Sequence, residues 1–509
     1  MSPVRTLACV LPLAAVIGLS GCFDGEEATS PAPSPTPSPT ATATPSAISS
    51  LGADGWAATG AGTTGGDGAS AAKTYTVTNR NELIQALYGG TATIEEDGTF
   101  SGTLDESPKI IYVSGTISLN VNRALEEQSA DDYIQGSCAS ETYGYDSEGA
   151  LWEDYYAAFR PSVWGLDDEV SGTPEDARNC AAGQQGRVVR LIVPSNTSLL
   201  GMGEDARIVH GGLRIGNNQS DRSENIVIRN IGFEDAFDFF PQWDPTDSTG
   251  RWNSNYDLIW IEYADNVWID HSSFTDGDRT DNEFPSVWDE TVDGVDYSGS
   301  AFKVQHHDGL VDITRSGNLV TVSYNLFAEH DKTTLIGGTD TPNVERENPR
   351  ALKVTFHHNV YRNVTQRMPR VRFGMVHIYN NFYFGSRQVS AYPFSQAWFA
   401  GQSSKIYAEN NVFLIGGGSV ENVASGSVSS TQTGRCLALN YSAEECATTF
   451  YDAGTILNDQ PVDASAYVFT RSDAIGETTW QPSTFYQYDL DSTEGLIAQL
   501  VGEAGPGKL

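Results

Sequence analysis

One pattern recurs through the second half of this sequence. It is seen as ENIVIRNIGF (Glu224 to Phe233), DNVWIDHSSF (Asp265 to Phe274) and NLVTVSYNLF (Asn318 to Phe327). It returns as LKVTFHHNVY (Leu352 to Tyr361), MVHIYNNFY (Met375 to Tyr383) and SKIYAENNVF (Ser404 to Phe413). Each copy is a short β-branched strand, a polar corner that often carries Asn, and an apolar or aromatic residue. Tyr361 and Tyr383 lie 22 residues apart, and wider gaps leave room for loops. A unit of this size cannot bury its own apolar face, so copies must stack as coils of parallel sheet. Asn325, Asn359, Asn381 and Asn411 fall at one point of their units. There Asn can take a left-handed corner and bond to the Asn of the next coil. The pattern predicts an all-β chain folded as a right-handed parallel β-helix. A propeller would repeat at about twice this period, and a β-sandwich needs no sequence repeat. Unequal loops in a β-helix can gather on one side as a cleft. The longest gaps are Glu234–Ala264, Thr275–Gly317 and Ala328–Ala351.

The N-terminus is of another kind. Arg5 and the apolar run Leu7 to Leu19 form a targeting segment too short to span a bilayer as a helix. It ends in Leu19-Ser20-Gly21-Cys22, which resembles a bacterial lipobox; an ordinary secretory signal is the alternative. Residues 1–22 are therefore expected to be a lipoprotein signal with Cys22 lipidated. Residues 23–54, rich in Pro, Ser and Thr, are expected to be an extended tether. Residues 55–509 form the body. The expected location is an exported lipoprotein at the outer membrane or cell surface, or a secreted protein. Cys138, Cys180, Cys436 and Cys446 remain for the body, an even number in an exported chain. Proximity suggests Cys138–Cys180 and Cys436–Cys446. The glycine-rich lead-in Gly55 to Gly66 lacks the Lys-Ser/Thr of a phosphate loop. Thr74 to Leu87 reads as strand, Asn79 cap and helix, and Lys109 to Leu119 as a strand. Residues 121–187 read as an acidic, aromatic, irregular insertion or lid.

The formal net charge of −36 argues against nucleic acid as a partner. Two clusters in this acidic chain carry the chemistry. Asp308 and Asp312 sit four apart in HHDGLVD, and Asp257 lies in YDLIWIEY. Carboxylates on adjacent coils can come within about 5 Å, where they repel and call for a hard cation, Ca²⁺ or Mg²⁺. From Arg346 to Arg372 there are seven Lys or Arg and one acid: Arg346, Arg350, Lys353, Arg362, Arg367, Arg370 and Arg372 against Glu347. Lys332 precedes them. Carboxylates beside guanidinium forks suit an anionic substrate held partly through a bridging metal. The paired histidines His306-His307 and His357-His358 are read as strand neighbours facing opposite ways. His271 is read as structural, and no histidine is assigned to catalysis.

WIDHSSF, QHHDGLVDI, VSYNLFAEHDKTTLIG and VTFHHNVYRNVTQRMPRVRFGMVHIYNNFY resemble the polysaccharide lyase family 1 pectate lyases, the Bacillus type above all. The resemblance runs from about Gly55 to the C-terminal AGPGKL. It implies a right-handed parallel β-helix that cleaves polygalacturonate, demethylated pectin, by β-elimination with Ca²⁺. Position by position, Asp257, Asp308 and Asp312 match the family's calcium ligands, and Arg367 matches the catalytic base. Lys332 and Arg372 match contacts to the substrate carboxylate. Ser272 departs from the frequent WIDHC, with no catalytic consequence expected. The protein is expected to act as a monomer.

An arginine base poses a physical difficulty, because free arginine has a pKa above about 12. Ca²⁺, Lys332, Arg370 and Arg372 would favour its neutral form by like-charge repulsion, and alkaline pH would help. The competing readings are a pectin hydrolase or esterase on the same fold, a lyase for methylated pectin, and a non-catalytic pectin binder. A glycoside hydrolase needs an acid/base pair of carboxylates, and a lyase for methylated pectin has little use for the aspartate trio.

Overall fold

A computed structural model describes residues 52–344, 346–389 and 391–509. The signal, Cys22 and nearly all of the 23–54 tether lie outside the described residues. The body is the expected parallel β-helix. Three ladders of parallel strands run its length. The first stacks Ser223–Arg229, Ala264–Asp270, Asn318–Ser323, Lys353–His357, Met375–Tyr379 and Lys405–Glu409. The second stacks Gly232–Glu234, Ser273–Thr275, Leu326–Lys332, Val360–Gln366, Phe382–Ser386 and Val412–Gly416. The third is an eight-stranded sheet from Arg190–Val193 to Ala424–Gly426.

The recurring aromatic forms a column inside the coils. Phe233, Phe274, Phe327, Tyr361, Tyr383 and Phe413 stack with centroids 4.1–5.3 Å apart. Each ring covers its neighbours on the coils above and below, so the period of the sequence is also the period of the core.

The asparagines form a second column. Asn325 Nδ2 donates to Asn359 Oδ1 (3.1 Å), Asn359 Nδ2 to Asn381 Oδ1 (3.0 Å), and Asn381 Nδ2 to Asn411 Oδ1 (3.1 Å), all fully buried. Ser272 heads the column: its backbone N–H donates to Asn325 Oδ1 (2.8 Å). The left-handed corner falls one residue earlier than the sequence suggested, on Tyr324, His358, Asn380 and Asn410 (φ 47–55°). Corner and ladder are thus separate tasks of adjacent residues. Replacing Asn359 with Ala would strand the buried Asn325 N–H, which donates to Asn359 Oδ1 at 3.0 Å. The expected cost is about 4 kcal/mol, read as a fall in the urea midpoint; an unchanged midpoint would refute the ladder's structural role.

The corner also overturns the reading of one histidine pair. With His358 left-handed, His357 and His358 are both buried, their Nδ1 atoms 2.8 Å apart. Strand alternation does not survive a corner. His271 is structural as expected, bonded to Asp270 (2.7 Å) and stacked on Tyr324.

Residues 121–187 are not irregular but helical. They form Ala130–Gln135, Cys138–Glu141, Glu148–Phe159, Pro161–Trp164 and Thr173–Val189. Ser129 and Ser147 accept from backbone N–H groups and start two of these helices. The helices run from 4 to 17 residues and are packed by aromatic rings such as Trp152 on Tyr156, with no apolar period sustained across the segment. Both disulfides form as expected, Cys138–Cys180 within this insertion and Cys436–Cys446.

Both ends of the body are fastened along the coils. Trp56 N–H donates to Thr355 Oγ1, Ala57 N–H to Thr321 Oγ1, and Gly66 N–H to Ser198 Oγ. A Cβ at Gly66 would lie 1.9 Å from Lys109 O, which explains the glycine-rich lead-in as a strap laid flat on the sheet. Asp54, the last residue of the expected tether, already pairs with His357 (2.9 Å). The C-terminal segment returns over the same region. Tyr486 OH meets Thr355 Oγ1, helix Leu496–Glu503 packs on Val360, Phe382 and Val412, and Gly507 N–H donates to Asn230 Oδ1. Strap and tail meet where Trp56 packs against Phe485 and Tyr486.

Candidate active site

Each of the three long gaps carries one strand of the third ladder, Ile259–Glu262, Val311–Thr314 and Leu335–Ile336, and residues of all three line shared cavities. Ile259 pairs with Val311 and Trp260 with Asp312 on adjacent coils. Two residues before Ile259, Asp257 Oδ1 accepts from Gly309 N–H (2.7 Å). Asp312 Oδ1 accepts from Leu335 N–H (2.8 Å), and Asp308 Oδ1 meets Lys332 Nζ (2.9 Å). Asp257, Asp308 and Asp312 line one cavity of about 360 Å³. Lys332 and Arg367 line a larger one of about 640 Å³, and the Asp308–Lys332 pair joins the two.

The trio is electrostatically crowded. Burial, then the charges of Asp312 and Asp308, push the Asp257 carboxyl well above the usual range. Burial and Asp308 push Asp312 up to about 7. Asp308 goes the other way: burial opposes its charge, but Lys332 and then Arg367 hold its carboxyl below the usual range. Gly309 shows that the space between the oxygens is built. A Cβ there would lie 2.3 Å from Asp312 Oδ1 and 2.8 Å from Asp257 Oδ1. Repelling hard oxygens around a space kept clear of side chain fit a hard divalent cation.

Lys332 closes its strand opposite Gln366. Arg367 follows in a left-handed conformation (φ 61°), its backbone carbonyl accepting from Thr334 N–H (2.7 Å). Arg367 makes no ion pair among the described residues, and its Nε is buried without a partner. Arg370 likewise makes no ion pair among the described residues, and its Nε is buried without a partner. It stacks on Phe399, and burial, then Arg372 and Arg367, lower its guanidinium to about 10.

The profile of the pectate lyase family matches residues 164–509. The chain belongs to the pectate lyase family. A pectate lyase of Bacillus subtilis (strain 168) is 40% identical over 457 residues, 90% of this chain and 92% of its own. The solved structure of a pectate lyase from Acidovorax avenae subsp citrulli has a TM-score of 0.89 at 55% identity, covering 92% of this chain and 96% of its own. A pectate lyase solved bound to a hexasaccharide has a TM-score of 0.72 at 39% identity, covering 90% and 97%. This chain is therefore an enzyme on the parallel β-helix of the pectate lyase family.

Against that family expectation, the structure gathers Asp257, Asp308, Asp312, Lys332 and Arg367 at one cleft. Arg372 is turned aside: its Nε donates to Asp340 (2.7 Å) and its Nη1 to Gly337 O (3.0 Å). The basic island disperses. Arg350 pairs with Glu445, Lys353 lies over Trp56, and Arg362 lies on Glu329 at 3.9 Å. Strand alternation and the corners send these cations to different faces, so density along the chain overstated density in space. Sequence reading missed Gly309 and Lys303. Lys303 lines the larger cavity and pairs with Asp281 and Asp331; a basic residue just ahead of QHHDGLVD was its only signal. Also missed were Asp276, Asp281 and His307, whose donor atoms all lie within 4.8 Å of one another.

Proposed function

We propose that this enzyme is a calcium-dependent pectate lyase that cleaves α-1,4-linked polygalacturonate by β-elimination. The observation that supports this most is Arg367, a cation without an ion-pair partner among the described residues, facing a cleft it shares with Lys332 beside three crowded aspartates. Asp257, Asp308 and Asp312 would hold Ca²⁺, which supplies positive charge to the uronate carboxylate and makes the adjacent C5–H more acidic. Lys332 binds the same carboxylate and adds charge where the enolate-like anion develops. Arg370 adds positive charge beside Arg367. Arg367 takes the C5 proton. The electron pair forms the C4–C5 double bond, the C4–O bond breaks, and the departing sugar oxygen takes a proton from solvent. No water is added, so the product has an unsaturated end.

Incubation with polygalacturonate is expected to raise ultraviolet absorbance, and a chelator is expected to abolish the rise until Ca²⁺ is restored. New reducing ends without ultraviolet absorbance would instead indicate a hydrolase.

A further inference from the structure

A second cluster lies behind the cleft wall, in the loop between strands Ser273–Thr275 and Val311–Thr314. Asp276, Asp281 and His307 are 1–2% exposed. His307 Nε2 lies 2.8 Å from Asp235 Oδ1, and Asp235 pairs with Arg279 (2.7 Å). An ionised carboxylate can only accept, so Nε2 carries the proton, and in that tautomer Nδ1 presents a lone pair. That atom has no hydrogen-bond partner. Asp276 Oδ2 is 3.7 Å away, beyond hydrogen-bond reach, so protonating Nδ1 would not satisfy it either. Asp281 Oδ1 is likewise buried and unpartnered, while its other oxygen is held by Lys303. Asp276 is fixed by His330 Nδ1 (2.6 Å) and Tyr392 OH (2.6 Å).

Acceptors thus converge on one point, each steadied from behind. Orphaned buried acceptors are costly. An ion with bonds of 2.0–2.2 Å sets its donors about 3.5 Å apart, close to the His307–Asp276 separation. A histidine that donates its second N–H to a carboxylate is the usual support of a metal-binding imidazole. One nitrogen and carboxylate oxygens suit zinc-type ions better than calcium, which takes oxygen alone.

We propose that Asp276, Asp281 and His307 form a second metal site, separate from the aspartate trio, that binds a divalent transition ion of the zinc type. Because Asp281 and Lys303 line the cleft, the ion clamps the loop that forms the cleft wall.

The test uses the whole protein, stripped with a chelator and given Zn²⁺ alone. Metal content after gel filtration is expected to be one equivalent, with a higher melting temperature. Asp281→Asn should lose that equivalent, with affinity down at least about 100-fold and an unchanged circular dichroism spectrum. Asp235→Asn should weaken binding about tenfold. Asp257→Asn should lose Ca²⁺ and keep Zn²⁺. Failure of the wild type to retain Zn²⁺, retention by Asp281→Asn, or loss from Asp257→Asn alone would each overturn the site. So would binding of Ca²⁺ only.

Discussion

Arg367→Ala is expected to lower turnover of polygalacturonate about 10³-fold, the scale of losing a general base, with little change in Ca²⁺ affinity. The guanidinium makes no ion pair among the described residues, and its side chain lines the cleft, so its removal leaves the fold's own pairings intact. Thermal stability should therefore hold. The wild-type rate should rise with pH on the alkaline side, because only the neutral side chain can take a proton. Arg367→Lys should recover part of the rate and reach its plateau at lower pH, because a free lysine amine titrates at about 10.4, well below a guanidinium. A variant with full depolymerising activity would eliminate this mechanism, as would a wild-type optimum near pH ~5, far below any arginine pKa.

Gly309→Ala is expected to be damaging too, though less so and for a different reason. The added methyl would strike both Asp312 and Asp257, at 2.3 and 2.8 Å from their Oδ1 atoms. Both carboxylates must move, and a displacement of about 1 Å in a reacting constellation costs on the order of 100-fold. Here the loss should be in calcium affinity, so raising Ca²⁺ should restore part of the rate, unlike in Arg367→Ala. Calorimetric titration separates the two variants. Wild-type Ca²⁺ affinity in Gly309→Ala would show that the space beside Gly309 is not where the ion binds.

The architecture was legible because one chemical choice repeats. An aromatic at a fixed point of each unit became the column from Phe233 to Phe413, and an asparagine became a buried ladder. The aspartate trio was legible because QHHDGLVD and YDLIWIEY lie on adjacent coils, and coil register turns distance along the chain into nearness. What could not be read depends on direction rather than identity. The island from Arg346 to Arg372 looked like one cationic surface, but Arg350, Lys353 and Arg362 leave on other faces. The left-handed corner at His358 turned an apparent inside–outside pair into two buried rings. Three of the helices of residues 121–187 start on serine caps, and aromatic rings pack the group; neither signal has a period. Gly309 matters for what it lacks, and a missing side chain in a chain of 50 glycines carries no mark.

A stack of coils that touch only their neighbours can unravel from either end. Here the lead-in ties Thr321, Thr355 and Ser198, residues of different coils, to one short segment, and the tail from Tyr486 to Gly507 reaches back as far as Asn230. Trp56 and Phe485 buckle the two together. Opening any terminal turn must first release this girdle, so the molecule should come apart as a single cooperative unit. Amide exchange would show it, with outer turns protected nearly as long as the middle; rapid exchange confined to the terminal turns would mean that the girdle is ornamental.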